Sequence, residues 1–375
     1  MSDVLIGIDL GTTNTVVATE ERVLPLKVDG NVLRALPSVV AWLPDGRRVA
    51  GPNALRRRSI DPENTLFSTK RLIGRDVSAV AVDEFRRRYP MKLTANERGE
   101  AAFTTRVGTI SPVDVAAAVI EAALQAAALS PKSCRAVITV PAAFGEGQRK
   151  ATLEAGRKAG LAAVALLEEP IATAIAHGSS SRGHTAVYDI GGGTFDFAIL
   201  DCKHWPYRIL GHGGDLFLGG DDLDAALAEV VAHELLRLAN WDVRNDVLVY
   251  DRLLVECERA KVRLSEVLHT DLELGQVDPD APVQDARVTL DRAVLARCFL
   301  DPVRRTFVAC DEVLHQVGIA ARGIDGILLA GGSTLSPSVK GAVTAYFGRA
   351  PEQLVSPLDS IAIGASKHAQ RVFDR

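Results

Sequence analysis

The sequence lacks several features that would mark a secreted, metal-stapled or membrane protein. Its five cysteines are far apart and form no Cys-x-x-Cys pair, which favours free thiols in a reducing compartment over disulfides or a zinc site. Low-complexity tracts and charged tails are also missing. The longest apolar stretch, residues 113–129, contains acidic residues and predicts a buried helix, with no membrane span. Without a signal-peptide pattern at the N-terminus, we expect a cytoplasmic protein.

The chain also lacks an excess of positive charge. Its 43 basic and 47 acidic residues leave a formal net charge of −4. Proteins that bind the phosphate backbone of nucleic acids usually carry a basic stripe, so we do not expect nucleic acid as a partner. Two short arginine runs, at residues 56–58 and 86–88, are interpreted as solvated faces, with docking surfaces as the alternative.

Length and patterning predict two α/β lobes. A chain of 375 residues exceeds the size at which a single hydrophobic core stops growing. Strand and helix patterns alternate along the chain, which is typical of α/β lobes with mixed sheets. A strand–glycine turn–strand unit at residues 5–18 recurs at residues 186–200, as in an internal duplication. We therefore predict a first lobe over residues 1–183 and a second over residues 184–375.

Local signals predict where individual elements begin and end. Ser111 as N-cap, Pro112 at the first helical position and Asp114 in a capping box predict a helix that runs to Leu129. Pro302 lies inside a helical pattern over residues 291–317 and should kink or divide that helix. Strands are predicted at residues 4–9, 15–19, 23–28, 136–140, 163–167, 185–189, 195–200 and 326–330.

Two glycine-rich segments carry the clearest chemical signal. The first, residues 9–14, reads DLGTTN and follows a predicted strand. Glycine lets backbone N–H groups approach a phosphate closely, and the aspartate can hold magnesium directly or through water. A plain hairpin turn uses the same residue types, so this segment alone leaves both interpretations open.

The second segment, residues 189–196, reads DIGGGTFD and repeats this chemistry with one more carboxylate. Two such loops can hold the phosphates of a nucleotide from opposite sides, with a divalent cation relieving the repulsion. No Gly-Lys-Ser/Thr follows either set of glycines, which excludes a Walker A loop. The chain returns as a strand, whereas a dinucleotide fingerprint opens a helix. A strand ending at Gly331-Gly332 allows a third close approach, to a base or ribose, although taken alone it is better explained as a plain strand-to-helix turn.

The motifs of the chain occur in the order found in DnaK-type 70-kDa heat-shock chaperones. They are GIDLGTTNT, STKRLIGR, AVITVPAAFGEGQRKAT, EEPIATAIAHG, YDIGGGTFD, GGDLFLGGDDLD, ERAKVRLS and LLAGGST. The chain resembles the ATPase domain of that family over residues 3–372; actins and sugar kinases share only the loop pair. The resemblance implies an actin-like ATPase fold with two lobes, each a mixed β-sheet with flanking helices, around a central nucleotide cleft (a duplicated ribonuclease-H-like motif).

The resemblance also implies roles for individual residues. The catalytic residues would be Lys70, Glu169, Asp196 and Thr194. Asp9 and Asp189 would bind a metal ion through its water ligands. The phosphate contacts would be Gly11, Thr12, Thr13, Asn14, Gly191, Gly192, Gly193 and Thr194. The adenosine contacts would be Glu258, Lys261, Ser265, Gly331, Gly332, Ser333 and Leu335. Pro141 and Arg149 would relay the nucleotide state between the lobes.

Three positions depart from the family pattern, all near the expected adenine contacts. Leu335 stands where members commonly have arginine, which removes a cation–π contact with the base. Val262 replaces a second arginine that many members carry. Leu358 follows Pro357 where an acid is usual, and Asp359 comes one position later. The resemblance is therefore more complete for phosphate chemistry than for adenine binding.

The leading hypothesis is Mg²⁺-dependent ATP binding and hydrolysis, with lobe rotation coupled to the nucleotide state. Expected ligands are ATP or ADP and Mg²⁺, with K⁺ as a further cation. Expected partners are a J-domain co-chaperone and a nucleotide-exchange factor, with no membrane and a monomeric state. The alternatives are a non-hydrolysing nucleotide-dependent regulator, a small-molecule kinase and an actin-like filament protein. No C-terminal substrate-binding domain follows the final predicted helix, so we expect either a fragment or a short relative.

Overall fold

The computed structural model describes residues 3–19, 22–178, 183–281, 284–285 and 287–374. The outer ends of the two predicted lobes, residues 1 and 375, lie outside these ranges. Within them the chain is an α/β protein with twenty strands and twelve α-helices. In the same ranges, no helix combines the length and the apolar composition needed to cross a bilayer.

The strands range from two to eight residues in length. In chain order they are β1 (Val4–Leu10), β2 (Asn14–Thr19), β3 (Arg22–Val23), β4 (Leu26–Val28), β5 (Asn31–Leu33), β6 (Leu36–Pro37), β7 (Val40–Trp42), β8 (Arg48–Ala50), β9 (Thr65–Leu66), β10 (Leu93–Ala95), β11 (Ala101–Thr105), β12 (Gly108–Ile110), β13 (Cys134–Val140), β14 (Ala163–Glu168), β15 (His184–Ile190), β16 (Phe195–Asp201), β17 (Arg208–Asp215), β18 (His269–Glu273), β19 (Arg287–Asp291) and β20 (Gly326–Ala330).

The helices include several that are long enough to cover a sheet. In chain order they are α1 (Pro52–Leu55), α2 (Val80–Arg88), α3 (Pro112–Ala126), α4 (Glu146–Lys158), α5 (Glu169–Ala176), α6 (Gly220–Ala239), α7 (Val247–Glu266), α8 (Leu274–Val277), α9 (Arg292–Cys298), α10 (Leu300–Val317), α11 (Pro337–Phe347) and α12 (Ser360–Phe373). Short 3₁₀ helices cover Pro62–Asn64, Thr69–Leu72, Pro131–Ser133, Val243–Asn245, Ala321–Gly323 and Gly332–Leu335.

Two mixed sheets have the same local plan. In the first, β1 pairs with β2 antiparallel on one side and with β13 parallel on the other. In the second, β15 pairs with β16 antiparallel and with β20 parallel. The full strand orders are β14-β13-β1-β2-β3, with β6 beside β2, and β17-β16-β15-β20. The recurrence in the sequence is therefore a structural repeat, in which each central strand ends at a glycine turn.

Each of these sheets has a hydrophobic core of its own. Ile6 and Ile8 of β1 are fully buried in a cluster that also contains most of the apolar face of α3. Tyr188 and Phe197 belong to a second cluster, shared with α6, α7 and α10. Because a buried strand must be covered on both faces, each sheet carries helices on its faces. This confirms the α/β architecture with mixed sheets that the sequence predicts.

The last helix packs mainly on the first sheet, although the second sheet precedes it in the chain. α12 lies against β1, β13 and α5, and thus on the first sheet. The contact is close enough to require glycine, since a Cβ at Gly364 would lie 1.7 Å from the Ala172 carbonyl oxygen. A Cβ at Gly7 would lie 2.2 Å from the Ser366 nitrogen. The division of the chain at residues 183/184 stays a prediction; α12 follows this division in the chain but packs on the sheet formed by residues that precede it.

The local predictions have mixed outcomes. The capping box of Ser111 and Asp114 at the start of α3 is confirmed. The helix predicted over residues 291–317 is divided as expected, although the break falls at Phe299 and Pro302 lies in the first turn of α10. The first turn suits proline because its N–H has no partner there. The single strand predicted at residues 23–28 is wrong, because β3 and β4 belong to different sheets.

Candidate active site

A cavity of about 370 Å³ is lined by residues from both large sheets. This volume is in the range of pockets that hold small molecules. β1 and β15 both end beside it, so the aspartates near their carboxyl ends face the same space. The predicted site residues that line the cavity are Asp9, Gly11, Thr12, Thr13, Asn14, Lys70, Pro141, Glu169, Asp189, Gly191, Gly192, Thr194, Asp196, Glu258, Lys261, Gly331, Gly332, Ser333 and Leu335.

The two glycine loops approach each other without room for side chains. A Cβ at Gly192 would lie 2.2 Å from the Thr13 hydroxyl oxygen, so the second loop touches the first at this point. A Cβ at Gly11 would lie 2.2 Å from the Asn14 carbonyl oxygen. Glycine is therefore required on both sides for steric reasons. The result is a pair of half-buried backbone turns that line one cavity, as anion-binding loops do.

Lys70 brings an ammonium group to the same cavity. It lies in the 3₁₀ helix Thr69–Leu72, and its Nζ donates a hydrogen bond to Glu169 Oε1 at 2.6 Å. Glu169 is the first residue of α5, where the helix dipole favours a carboxylate. Both side chains are largely buried, with 11% and 8% exposed. The pair therefore sits inside the protein at the wall of the cleft.

Three more carboxylates surround this pair and make the cleft strongly acidic. Burial, and then repulsion from Glu169, raise the pKa of Asp9 and of Asp196 to about 7 each. The same two causes raise the pKa of Asp189 well above its usual value. Burial acts to lower the pKa of Lys70, but Glu169 and Asp9 outweigh it and the net shift is upward. Four acids thus face one ammonium group, an excess that a bound cation would neutralise.

The other end of the cleft is built around a second buried lysine. Lys261 Nζ donates hydrogen bonds to Asp224 Oδ2 at 2.8 Å and to the Gly220 carbonyl oxygen at 3.1 Å. The Ser333 hydroxyl donates to the Gly191 carbonyl oxygen at 3.2 Å, which ties this end to the second glycine loop.

Aliphatic side chains complete this end of the cleft. Val262 and Leu335 line the cavity while remaining 59% and 41% exposed. Leu358 also lines the cavity and lies 3.2 Å from where a Cβ of Gly332 would be. The exposed wall of this end thus combines three aliphatic side chains with the exposed carboxylate of Glu258.

A family model for the Hsp70 protein matches residues 5–372, from the first strand to the last helix. The chain belongs to the Hsp70 family. The match covers both glycine loops, the Lys70 segment and the Lys261 helix. It confirms the resemblance seen in the sequence, and with the two mixed sheets it confirms the actin-like ATPase fold. The chain thus carries an Hsp70-type nucleotide-binding domain.

Three residues that the resemblance selected lie off the cavity of this Hsp70-family chain. The Ser265 hydroxyl donates to the Lys261 carbonyl oxygen at 3.4 Å, one turn along α7. Arg149 donates to Glu168 Oε1 at 2.9 Å and to the Phe144 carbonyl oxygen at 2.9 Å. Arg149 therefore has no place in the lining of the cavity, and its link to the cleft is the hydrogen bond to Glu168, the neighbour of Glu169 in the chain. Gly193, the third, turns its carbonyl oxygen toward Arg71, which donates to it at 2.6 Å.

Three arginines that line the cavity were not predicted. Arg34 donates two hydrogen bonds to Asp359, the buried N-cap residue of α12. Arg75 donates from Nε to the Arg71 carbonyl oxygen at 2.8 Å. Arg71 itself is 3% exposed. The only sequence signal for Arg71 and Arg75 is their place in STKRLIGR, since nothing local distinguishes a buried arginine from a solvated one.

Proposed function

We propose that this Hsp70-family chain binds ATP with Mg²⁺ and hydrolyses it. One observation supports this more than any other: Lys70 and Glu169 form a buried pair, encircled by Asp9, Asp189 and Asp196, in a cavity between two glycine loops. An ammonium group and several carboxylates at the phosphate loops are what phosphoryl transfer to water requires. The proposal fits the family, whose members are generally ATPases.

The chemistry of the acidic end suits a divalent cation. Hard cations prefer oxygen ligands. Burial, and then repulsion from Glu169, raise the pKa values of Asp9 and Asp196, and a bound cation would favour their ionised forms. We assign Asp9 and Asp189 to hold Mg²⁺ through water, and we keep K⁺ as a further cation at this end. When bound, Mg²⁺ would neutralise charge on the carboxylates and the phosphates.

The remaining residues of the acidic end can position the reactants. The backbone of Gly11–Asn14 and Gly191–Thr194 would cradle the β- and γ-phosphates. Lys70 would donate a hydrogen bond to the γ-phosphate, where charge changes most during transfer. Glu169 and Asp196 would orient the attacking water. A loose transition state needs little proton abstraction early on, so orientation matters more than basicity here.

Adenosine would then lie at the apolar end of the cleft. Glu258, Lys261 and Ser333 offer polar contacts for a ribose, and Gly331 and Gly332 admit a flat base. Leu335 would cover the base with an aliphatic surface. We assign Ser265 an indirect role at most, because its hydroxyl bonds to the helix backbone.

The output of hydrolysis is proposed to be movement of the lobes at residues 1–183 and 184–375. Pro141 lines the cavity, and Arg149 contacts Glu168 beside Glu169, so both could sense the phosphate end. We extend this to the family's partners, a J-domain co-chaperone and a nucleotide-exchange factor, and to a monomeric state. These proposals rest on the family and on the positions of the two residues.

Replacing Lys70 with alanine tests the proposed reaction. We expect single-turnover ATP hydrolysis to fall about a hundredfold to a thousandfold, with ATP affinity changed by less than about tenfold. The matched control is Lys150→Ala, because Lys150 is 72% exposed and pairs with Glu146 on the surface of α4. EDTA should abolish hydrolysis by the wild type.

Two results would contradict the proposal. Unchanged hydrolysis in Lys70→Ala would remove Lys70 from the reaction. A wild-type protein that binds ATP with Mg²⁺ but never cleaves it would favour the non-hydrolysing regulator. An acceptor other than water would be detected as a phosphorylated product, and pelleting with ATP at high speed would indicate a filament.

A further inference from the structure

Arg71 is a buried arginine whose whole guanidinium group is engaged. Its Nη2 donates to the Gly193 carbonyl oxygen at 2.6 Å, and its Nε donates to the Leu216 carbonyl oxygen at 2.7 Å. Its Nη1 donates to the Tyr89 hydroxyl oxygen at 2.5 Å. These three acceptors are neutral and suit the fork geometry of the guanidinium group, while the Asp221 carboxylate close by adds electrostatic attraction.

Aromatic rings enclose the same guanidinium group. Its central carbon lies 5.3 Å from the centroid of Tyr89 and 5.3 Å from the centroid of Phe217. Arg88 stacks on Phe217 as well, at 5.0 Å, and donates to the Phe217 carbonyl oxygen at 3.1 Å. Arg71 and Arg88 thus hold the turn at residues 215–219, which leads from β17 into α6, by hydrogen bonds and by stacking on Phe217.

The turn and the second glycine loop are in direct contact. A Cβ at Gly219 would lie 2.6 Å from the Gly193 Cα. A Cβ at Gly193 would lie 1.8 Å from Arg71 Nη2, so the guanidinium fits only because residue 193 has no side chain. Arg71, the glycine loop and the 215–219 turn therefore form one packed unit.

This unit is adjacent to the lysine of the proposed reaction. Lys70 and Arg71 are neighbours in the 3₁₀ helix Thr69–Leu72 and reach in different directions. Lys70 reaches Glu169, and Arg71 reaches the carbonyl oxygen of the loop proposed to hold the phosphates. Because the two side chains share one short helix, a shift of the loop away from Arg71 would also change the distance between Lys70 and any phosphate held by that loop.

We infer that Arg71 is a positioning residue, which fixes the second glycine loop and Lys70 relative to each other so that phosphates held by the loop lie within reach of Lys70. The inference rests on the proposed hydrolysis for its effect on rate. Its structural half, the clamping of the loop by Arg71, does not depend on that reaction.

The test compares Arg71→Ala, Arg71→Lys and the control Arg87→Ala. Arg87 is on α2, 70% exposed and paired with Glu84. In Arg71→Ala we expect single-turnover hydrolysis to fall about a hundredfold, as a misplaced group can cause, with ATP affinity within about threefold. Guanidinium ion, far below denaturing concentration, should occupy the vacated space and raise the hydrolysis rate of Arg71→Ala about tenfold over its rate without the ion.

Arg71→Lys should remain slow, because a point charge cannot bridge the three acceptors. Arg87→Ala should match the wild type. The inference is overturned if Arg71→Ala keeps the wild-type rate, if weaker ATP binding accounts for the whole loss, or if guanidinium ion restores nothing. The last result would mean that the side chain serves only folding.

Amide hydrogen exchange provides a readout that does not require hydrolysis. Arg71→Ala should speed exchange at residues 191–194 and 216–218, while Arg87→Ala should not. If the wild type hydrolyses no ATP, the proposed function fails, and this measurement still decides whether Arg71 holds the loop. If Arg71→Ala does not fold, Tyr89→Phe removes one hydrogen bond and should cost about fivefold in rate. An unchanged rate there would reject the inference.

Discussion

Two lysines lie in the cleft of this chain, each paired with a buried carboxylate, and the two pairs differ in what surrounds them. Lys70 and Glu169 have 11% and 8% of their side chains exposed, and Lys261 and Asp224 have the same two values. The N···O distances are 2.6 and 2.8 Å. Burial and pairing alone therefore do not separate the two ends of the cleft.

The surrounding charge separates them. Beside Lys70 lie three further buried aspartates, whose pKa values are raised by burial and by Glu169. Beside Lys261 and Asp224 lie the Gly220 carbonyl oxygen, the carboxylates of Asp221 and Glu258, and exposed aliphatic side chains. Burial raises the pKa of Asp224 to about 7 against the effect of Lys261, with smaller contributions from Glu258 and Asp221. The Lys70 pair thus differs from the Lys261 pair in the number of fully buried carboxylates around it.

The largest effect is expected from a substitution at Gly331, where the adenosine end of the cleft touches the strand that carries Asp189. Gly331 has φ +79°, and a Cβ there would lie 2.1 Å from the Ile190 carbonyl oxygen and 2.4 Å from Asp189 Oδ1. Gly331→Ala should lower the free energy of unfolding by about 3 kcal/mol or more, through backbone strain and overpacking. Hydrolysis should fall as well, because Asp189 is displaced. Urea denaturation and single-turnover assays measure both.

Gly341→Ala is the matched control for this substitution. Gly341 lies in α11, and a Cβ there would meet nothing within 4 Å. Alanine should be neutral or stabilise the protein by up to about 1 kcal/mol. If Gly331→Ala changes the free energy of unfolding and the hydrolysis rate no more than Gly341→Ala does, the contact of Gly331 with Ile190 and Asp189 is not rigid.

A smaller effect should distinguish the two sets of acids. In the nucleotide-free protein at pH 8, Asp224→Asn should destabilise by on the order of 3 kcal/mol, because it leaves Lys261 buried without its carboxylate. Asp196→Asn should instead stabilise by on the order of 1 kcal/mol, because it removes one of several repelling charges.

The pH dependence of Asp196→Asn checks the sign of this effect. Folding raises the pKa of Asp196 from its ordinary value of 3.8 to about 7, so between these pH values the folded state holds a proton that the unfolded chain releases. The contribution of Asp196 to wild-type stability therefore falls as pH rises from about 4 to about 7, by up to about 1.4 kcal/mol per pH unit. The gain in Asp196→Asn should shrink as pH is lowered. Denaturation at pH 5, 6.5 and 8 in EDTA would reveal opposite signs for the two variants; equal signs would remove the distinction.

The smallest expected effect concerns the apolar end alone. Leu335→Arg should tighten ATP binding by about three- to fivefold, because a guanidinium over the base contributes about 0.5–1 kcal/mol. The single-turnover rate should stay within about twofold of wild type. Leu354→Arg, at a site 67% exposed and away from the cavity, is the control for net charge. Equal tightening in both variants, measured by calorimetric titration, would show general attraction and no contact with the base.

The sequence by itself determined the elements whose causes are local. Glycines and hydroxyl residues after an aspartate specify the two loops, and Ser111 with Asp114 specifies the start of α3, because the required contacts lie within a few residues. The family resemblance then located Lys70, Glu169 and Lys261 beside the same cavity.

Only the tertiary structure decided which charged residues are buried and what holds them. Arg71 bonds to Gly193 and Leu216, which are 122 and 145 positions away, and Asp224 bonds to Lys261, 37 positions away. The return of α12 to the first sheet likewise depends on the fit between Gly364 and Ala172. A charged side chain tolerates burial only when distant partners replace its water, and those partners are brought together by the fold, not by neighbours in the chain.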